Sequence, residues 1–368
     1  MRREFTFKKI AFLLFLTVFA SFGQHHEESH SAHAEEHSAS NQGDRKGFVK
    51  EFIGHHLADT YDFGLFSYED DHGHENHVGF SLPVILWDNA SGLHIFSSSN
   101  FHHATTVAES NGSFYKISHS HIYATDNSGA FLMDGEGHHV KPLDFSITKN
   151  VFVIFVVCVL LFFVFLKMAK GYSKNALPTG FARVLEPLVL YVRDEIAIPN
   201  IGKKHYKKYM SFLLTVFFFV WLINLLGLSP LGVNVTNNIA VTSSLALITY
   251  VLTTFTANKS YWGHIFWMPG VPLPMKFLLA PIELLGTLIK PFSLMIRLYA
   301  NITAGHIVLM SILGMIYVFK SWIGGPLSFG LAFFLSLLEL LVAALQAYIF
   351  TMLSALYFGT AVEEHDDH

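Results

Sequence analysis

Residues 281 to 310, PIELLGTLIKPFSLMIRLYANITAGHIVLM, decide the fold. They read as a hydrophobic helix that nevertheless carries Glu283, Lys290, Arg297, Asn301 and His306. An arginine near the centre of a membrane helix costs about 2.5 to 3.5 kcal/mol even on the lenient insertion scale, so a charge kept there points to function. A basic residue near a helix end can snorkel to the interface, but the apolar run continues on both sides of Arg297. At about 100° per residue, Glu283, Lys290 and Arg297 fall on nearly one stripe, which Asn301 extends by a turn. His306 points to roughly the opposite side.

Working outward, hydrophobic residues make up 52% of the chain and charged residues 14%, against a soluble norm of about 25% charged. This composition is that of a membrane protein. The single cysteine, Cys158, lies inside an apolar run, which excludes a disulfide framework and a cysteine-based metal site. Charge is unevenly spread. Residues 24 to 145 hold 5 Lys and Arg against 18 Asp and Glu, whereas residues 146 to 368 hold 15 against 9. An acidic front is attached to a basic membrane body.

Residues 1–23 have the form of a secretory signal peptide: Arg2, Arg3, Lys8 and Lys9 precede the short apolar run Ile10 to Phe19, and small residues follow. The alternative is an uncleaved anchor, for which the run is short. Residues 24–46 are rich in His, Glu, Ser and Ala and lack the apolar residues that offset ordering entropy. His26, Glu27 and His30 fit the H-E-x-x-H zinc-protease pattern, but a tract of alternating His and Glu produces such a match by chance, and adventitious metal binding is the simpler expectation. Residues 47–145 contain short apolar runs, Gly79 to Trp87, Gly92 to Phe101 and Phe114 to Tyr123, separated by Asp-Asn, Asn-Gly, Asn-Ser-Gly and Asp-Gly-Glu-Gly turns. They predict a small β-rich domain. The front of the chain holds 17 of the 22 histidines, and scattered pairs such as His102-His103 suit a solvated surface better than a metal site.

Residues 146–368 form the membrane domain, with spans expected at 151–166, 209–228, 239–257, 275–317 and 327–358. Nine Lys and Arg follow the first span, placing that loop in the cytoplasm and the acidic front outside. Within it, Phe181 to Ile198 alternates as an amphipathic interfacial helix would. Asn224, deep in the second span, is either a helix–helix hydrogen-bond partner or the lining of an aqueous path. The last two runs are too long for a hydrocarbon layer of about 30 Å, so they must tilt, kink or bend, with Pro291 one kink candidate. The fold class is an all-α polytopic membrane protein: five crossing helices plus an interfacial amphipathic helix, the last two long and strongly tilted, with an N-terminal β-rich external domain.

Leu294 to Val308, LMIRLYANITAGHIV, resembles the signature of the F-type ATP synthase a subunit, in which Arg-Leu-aromatic-small-Asn is followed by small-Gly-His or small-Gly-Glu. Leu345 to His365, LQAYIFTMLSALYFGTAVEEH, is similar to that family's last helix. The resemblance runs from about Thr148 to the C-terminus. It implies a non-catalytic proton-conducting stator subunit in a bacterial inner membrane, with the front periplasmic and the C-terminus cytoplasmic. The implied partners are a c-subunit ring, the b-subunit stator, other synthase subunits and the lipid bilayer, with no cofactor and no nucleic acid. Family positions place a histidine and a carboxylate, here His306 and Glu339, as a proton relay in the external half-channel. Arg297, which cannot deprotonate, would face the ring's carboxylate and separate the half-channels. Asn301 and Gln346 would orient Arg297 and line the rotor-facing surface, and Glu283 would serve the internal half-channel. The competing classes are a secondary metal-ion transporter with a His-rich external domain and a membrane metalloprotease. The transporter would need repeated halves and paired intramembrane ligands, of which His306 alone qualifies.

Overall fold

The computed structural model describes residues 59 to 363 except 70–74, 90, 102–105, 119, 136, 175–179, 181, 230–232, 269–270 and 319–323. The expected leader, the His- and Glu-rich tract and the tail beyond Glu363 lie outside the described residues.

The N-terminal part builds three small antiparallel sheets: β1 (Asp62–Glu69) with β2 (Glu75–Ser81); β4 (Gly92–Ser97), β3 (Pro83–Asp88) and β8 (Leu143–Asp144), in that order; and β5 (Ala108–Ser110), β6 (Ser113–Ser118) and β7 (His121–Thr125). Two apolar runs that read as single strands are each divided. Gly79 to Trp87 splits at Leu82 and Pro83, because proline has no N–H to continue the β1 ladder and instead opens β3. Phe114 to Tyr123 folds back on itself as β6 and β7, with Ser120 at φ 62° in the turn. The Asn111-Gly112 pair takes φ 50° and 79° and closes the β5–β6 hairpin, as a twist-matched two-residue turn requires. Val84, Leu86, Phe101, Tyr115 and Ile122 form its core.

This domain is fixed to the first membrane helix, α1 (Lys149–Lys174). The Asp59 carboxylate accepts from the Thr148 hydroxyl (3.0 Å) and the Asn150 amide (3.2 Å), occupying a helix N-terminus that favours negative charge. The Phe63, Phe80 and Phe152 rings pack together with centroids 4.9 to 5.6 Å apart. Tyr61 donates to Asp144 Oδ2 at 2.5 Å. Burial first, then the adjacent Asp144 carboxylate, pushes the Tyr61 phenol well above its ordinary pKa.

After α1 come α2 (Ala182–Tyr191), a π-helical turn (Val192–Ala197) and α3 (Ile198–Ile201), then α4 (Tyr206–Gly227), α5 (Ile239–Thr256), α6 (Lys259–Phe266), α7 (Leu273–Val318) and α8 (Gly324–Val362). Five of these, α1, α4, α5, α7 and α8, are long and apolar enough to cross a membrane. α1 outruns its apolar run because Lys167, Met168, Ala169 and Lys170, which follow it, are strong helix formers; α7 and α8 also extend a few residues past theirs. α7 passes through Pro281 and Pro291 as one helix, although each proline removes one backbone bond.

Helix α4 is the centre of the bundle, burying Phe212, Leu213, Val216, Phe219, Val220 and Ile223. Helix association in lipid draws on close packing rather than water exclusion. Accordingly α8 turns Ala343, Ala347, Thr351, Ser354 and Ala355 inward. A Cβ at Gly359 would overlap the Asn200 carbonyl. The end of α8 is further fixed by Asn258, whose backbone N–H donates to Ala361 O and whose side chain donates to Val362 O. Several hydroxyls within the helices are satisfied by their own backbone, as Thr249 is by Leu245 O and Thr351 by Ala347 O.

Candidate functional site

Helix α7 buries one stripe, Thr287, Leu294, Leu298, Ile302 and His306, against α5 and α8. The 3.6-residue repeat sets Arg297 beside one edge of this stripe, while His306 forms its other edge. Arg297 is half-buried and stands within electrostatic range of Tyr357 on α8. Among the described residues it has no hydrogen bond and no carboxylate at ion-pair distance. A permanent cation is thus held in the apolar part of the fold with no carboxylate counter-charge among the described residues.

On the other flank, His306 Nδ1 lies 4.0 Å from Glu339 Oε1, with side chains only 8% and 13% exposed. That is too long for a direct hydrogen bond and at the edge of ion-pair distance should the imidazole be protonated. The approach depends on Gly305: a Cβ there would sit 2.6 Å from Glu339 Oε1. Gly227, at the end of α4, also lies beside the imidazole, where a Cβ would stand at ordinary contact distances, 3.4 Å from His306 Nε2 and 3.9 Å from Asn234 Oδ1. Around this point the α4–α5 connection gathers polar groups. Thr236 donates to Asn224 Oδ1 at 3.1 Å, and Thr303 of α7 donates to Asn237 Oδ1 at 2.5 Å. Asn224 therefore does bridge between elements, yet its amide nitrogen, the Asn234 amide nitrogen and Glu339 Oε2 are buried without a hydrogen-bond partner. Such orphaned polar atoms are costly in an apolar interior, and their clustering marks a place that suits water or a travelling proton.

A second polar cluster lies toward the start of α7. Glu283 Oε1 is 3.9 Å from His264 Nδ1 of α6, both side chains being partly exposed. Nearby, Thr249, Thr253, Tyr261, Thr287, Lys290 and Tyr357 are among the residues lining a cleft of about 270 Å³, counting its open mouth. Lys290 stands 5.6 Å over the Tyr357 ring, so it is engaged rather than simply snorkelling. Along the helix Glu283 is about 21 Å from Arg297, and His306 about 14 Å beyond it on the opposite flank.

The fold thus brings His306 to Glu339 and leaves Arg297 between two polar clusters. Gln346 departs from expectation. It is 2% exposed, on the inward face of α8 beside Ala343, Ala347 and Phe350, whereas Asn301 is exposed; the two do not line a common outer surface, and neither is hydrogen-bonded to Arg297. The sequence reading missed His264, Tyr357 and the Asn234–Thr236 segment. None shares a helical period with α7, so no pattern in the chain linked them to it. Among the described residues no three His, Cys, Asp or Glu side chains are grouped to hold a metal ion.

Comparison with known proteins covers both parts of the chain. Residues 151–359 match the family model described as ATP synthase A chain, and residues 52–145 match a domain of unknown function. An ATP synthase subunit a from Chloroherpeton thalassium is 42% identical over 235 residues, covering 62% of this chain and 70% of that protein. An ATP synthase subunit a 2 from Chlorobaculum tepidum is 43% identical over 259 residues (66% and 72%). A subunit a from Myxococcus xanthus is 41% identical over 244 residues (64% and 78%).

Proposed function

The chain belongs to the ATP synthase A chain family, the a subunits of F-type ATP synthases, and from that premise we propose that it passes protons between two half-channels and the carboxylates of a c-subunit ring. The observation that carries the proposal is Arg297, a half-buried cation with no carboxylate partner among the described residues. Guanidinium stays protonated in a protein. It therefore blocks proton hopping past itself while drawing in, and favouring the ionised form of, a carboxylate supplied by a neighbouring helix. A proton must then ride on the rotor.

His306 and Glu339 relay protons on the periplasmic side, with Asn224, Asn234 and Thr236 lining the approach. An imidazole suits this task because its ordinary pKa lies near physiological pH. Glu283 and the cleft beside Lys290 serve the cytoplasmic side, where the basic residues of the loop after α1 also lie. Asn301 faces the ring, and Gln346 supports the Arg297 flank from within α8. The long helices α7 and α8 lie tilted along the ring, α2 rests on the cytoplasmic interface, and the b-subunit stator completes the membrane assembly. In this reading the β domain lies in the periplasm and the C-terminus in the cytoplasm of a bacterial inner membrane.

The test is ATP-driven proton pumping and ATP synthesis in inverted membrane vesicles, comparing wild type with Arg297→Ala at equal assembly. Loss of both coupled activities is expected. Unimpaired pumping by a normally assembled complex would overturn the assignment.

A further inference from the structure

The β domain carries an apolar face that its own core does not use. In the β4–β3–β8 sheet, Ile85 pairs with Ile95, and Trp87 pairs with both Leu93 and Leu143. Phe145 continues the column by donating its amide to Ile85 O, and Ile147 does the same to Pro83 O. Directly paired residues project to one face of a sheet. Here that face holds Ile85, Trp87, Leu93, Ile95, Leu143 and Phe145, without a charged side chain, while Val84, Leu86 and His94 point into the core. Ile95, Leu143, Leu93, Trp87 and Phe145 are 43 to 63% exposed. Contiguous exposed apolar surface on a folded domain marks a contact with a partner or a membrane.

We propose that this face rests on the lipid surface of the leaflet at which α1 begins. The argument is continuity. The Leu143–Phe145–Ile147 column leads into α1, with Phe145 four residues before Lys149 and so within about 14 Å of it even at full extension. Phe80, itself exposed, packs on Phe152 in the first turn of α1. Further along, α1 leaves Phe155, Leu160 and Phe163 exposed as a lipid-facing surface. Tryptophan among aliphatic residues is the composition that settles at a membrane interface. The front of the chain is strongly acidic, 18 Asp and Glu against 5 Lys and Arg, so headgroup charge does not draw it down; the apolar face does. The sheet then serves as a foot that fixes the domain, and with it the start of α1, against the bilayer.

The inference depends on α1 entering the membrane and not on the route of the proton. Its test uses the assembled complex in phosphatidylcholine liposomes, in a Cys158→Ser background with single cysteines at Ile95, Leu143 or, as an exposed polar reference, Glu109, each carrying a nitroxide. Power saturation compares collisions with oxygen, which concentrates in lipid, and with a water-soluble nickel chelate. Labels at positions 95 and 143 are expected to give an oxygen-to-nickel ratio several-fold above that at position 109. Equal ratios at the three sites would overturn the proposal by showing the face in water. Shielding of positions 95 and 143 from both reagents would also overturn it, and would assign the face to another subunit or a second copy.

Discussion

Gly305→Ala isolates the His306–Glu339 pair from the stability of the fold. An added Cβ would lie 2.6 Å from Glu339 Oε1, short of an ordinary 3.4 Å contact by about 0.8 Å. The obstacle is the end of a flexible side chain, so the carboxylate yields rather than the helices. A strained rotamer costs about 0.5 to 1.5 kcal/mol, and replacing a helical glycine by alanine returns about 0.5 to 1 kcal/mol, so stability changes little. Function does not share this compensation. The carboxylate moves away from α7, lengthening an approach to His306 that already stands at 4.0 Å. A misplacement of about 1 Å can cost on the order of 100-fold in rate, and partial relaxation of Glu339 reduces the expected loss to about tenfold. ATP-driven pumping in inverted vesicles, normalised to assembled complex, measures it. A second variant, Glu339→Asp with Gly305 kept, withdraws the carboxylate by one methylene without any added Cβ and should slow pumping likewise. Wild-type pumping by assembled Gly305→Ala would refute the view that this close approach matters to proton transfer.

Other consequences reach different parts of the molecule. Gly359→Ala should prevent assembly, because the Cβ meets the fixed Asn200 carbonyl rather than a movable side chain; complex recovered from membranes at the wild-type yield would contradict this. His264→Ala should slow ATP synthesis several-fold with the complex intact, since it removes the partner 3.9 Å from Glu283, and an unchanged synthesis rate would remove His264 from the cytoplasmic path. Tyr61 links the β domain to pH. Its folded pKa is raised, so the stability it contributes is present below the ordinary phenol value of about 10 and is lost as pH rises through the folded value. Hydrogen exchange at the β8–α1 junction should accelerate above about pH 10 in wild type. Tyr61→Phe, at a cost of about 1 kcal/mol for the lost hydrogen bond, should weaken that alkaline dependence.

Five helices long and apolar enough to cross a membrane, and the presence of Arg297 and His306 on opposite sides of one of them, were legible in the chain, because helical period and hydrophobic length are local properties. The partnership of His306 with Glu339 was legible only through the resemblance, since no local rule measures a distance between helices. What tertiary structure alone decided is which side chains meet. Gly305 and Gly227 read as ordinary small residues until the carboxylate and the imidazole are seen beside them. Gln346 shares a stripe with Glu339 in sequence, and the inward turn of that face of α8 takes both away from solvent. His264 reaches Glu283 because α6 folds back onto the start of α7, a contact without a sequence period. In the β domain, short apolar runs between turn signals foretold strands, while the pairing that gathers Trp87, Leu93, Ile95 and Leu143 on one face depends on register, which only the folded chain fixes.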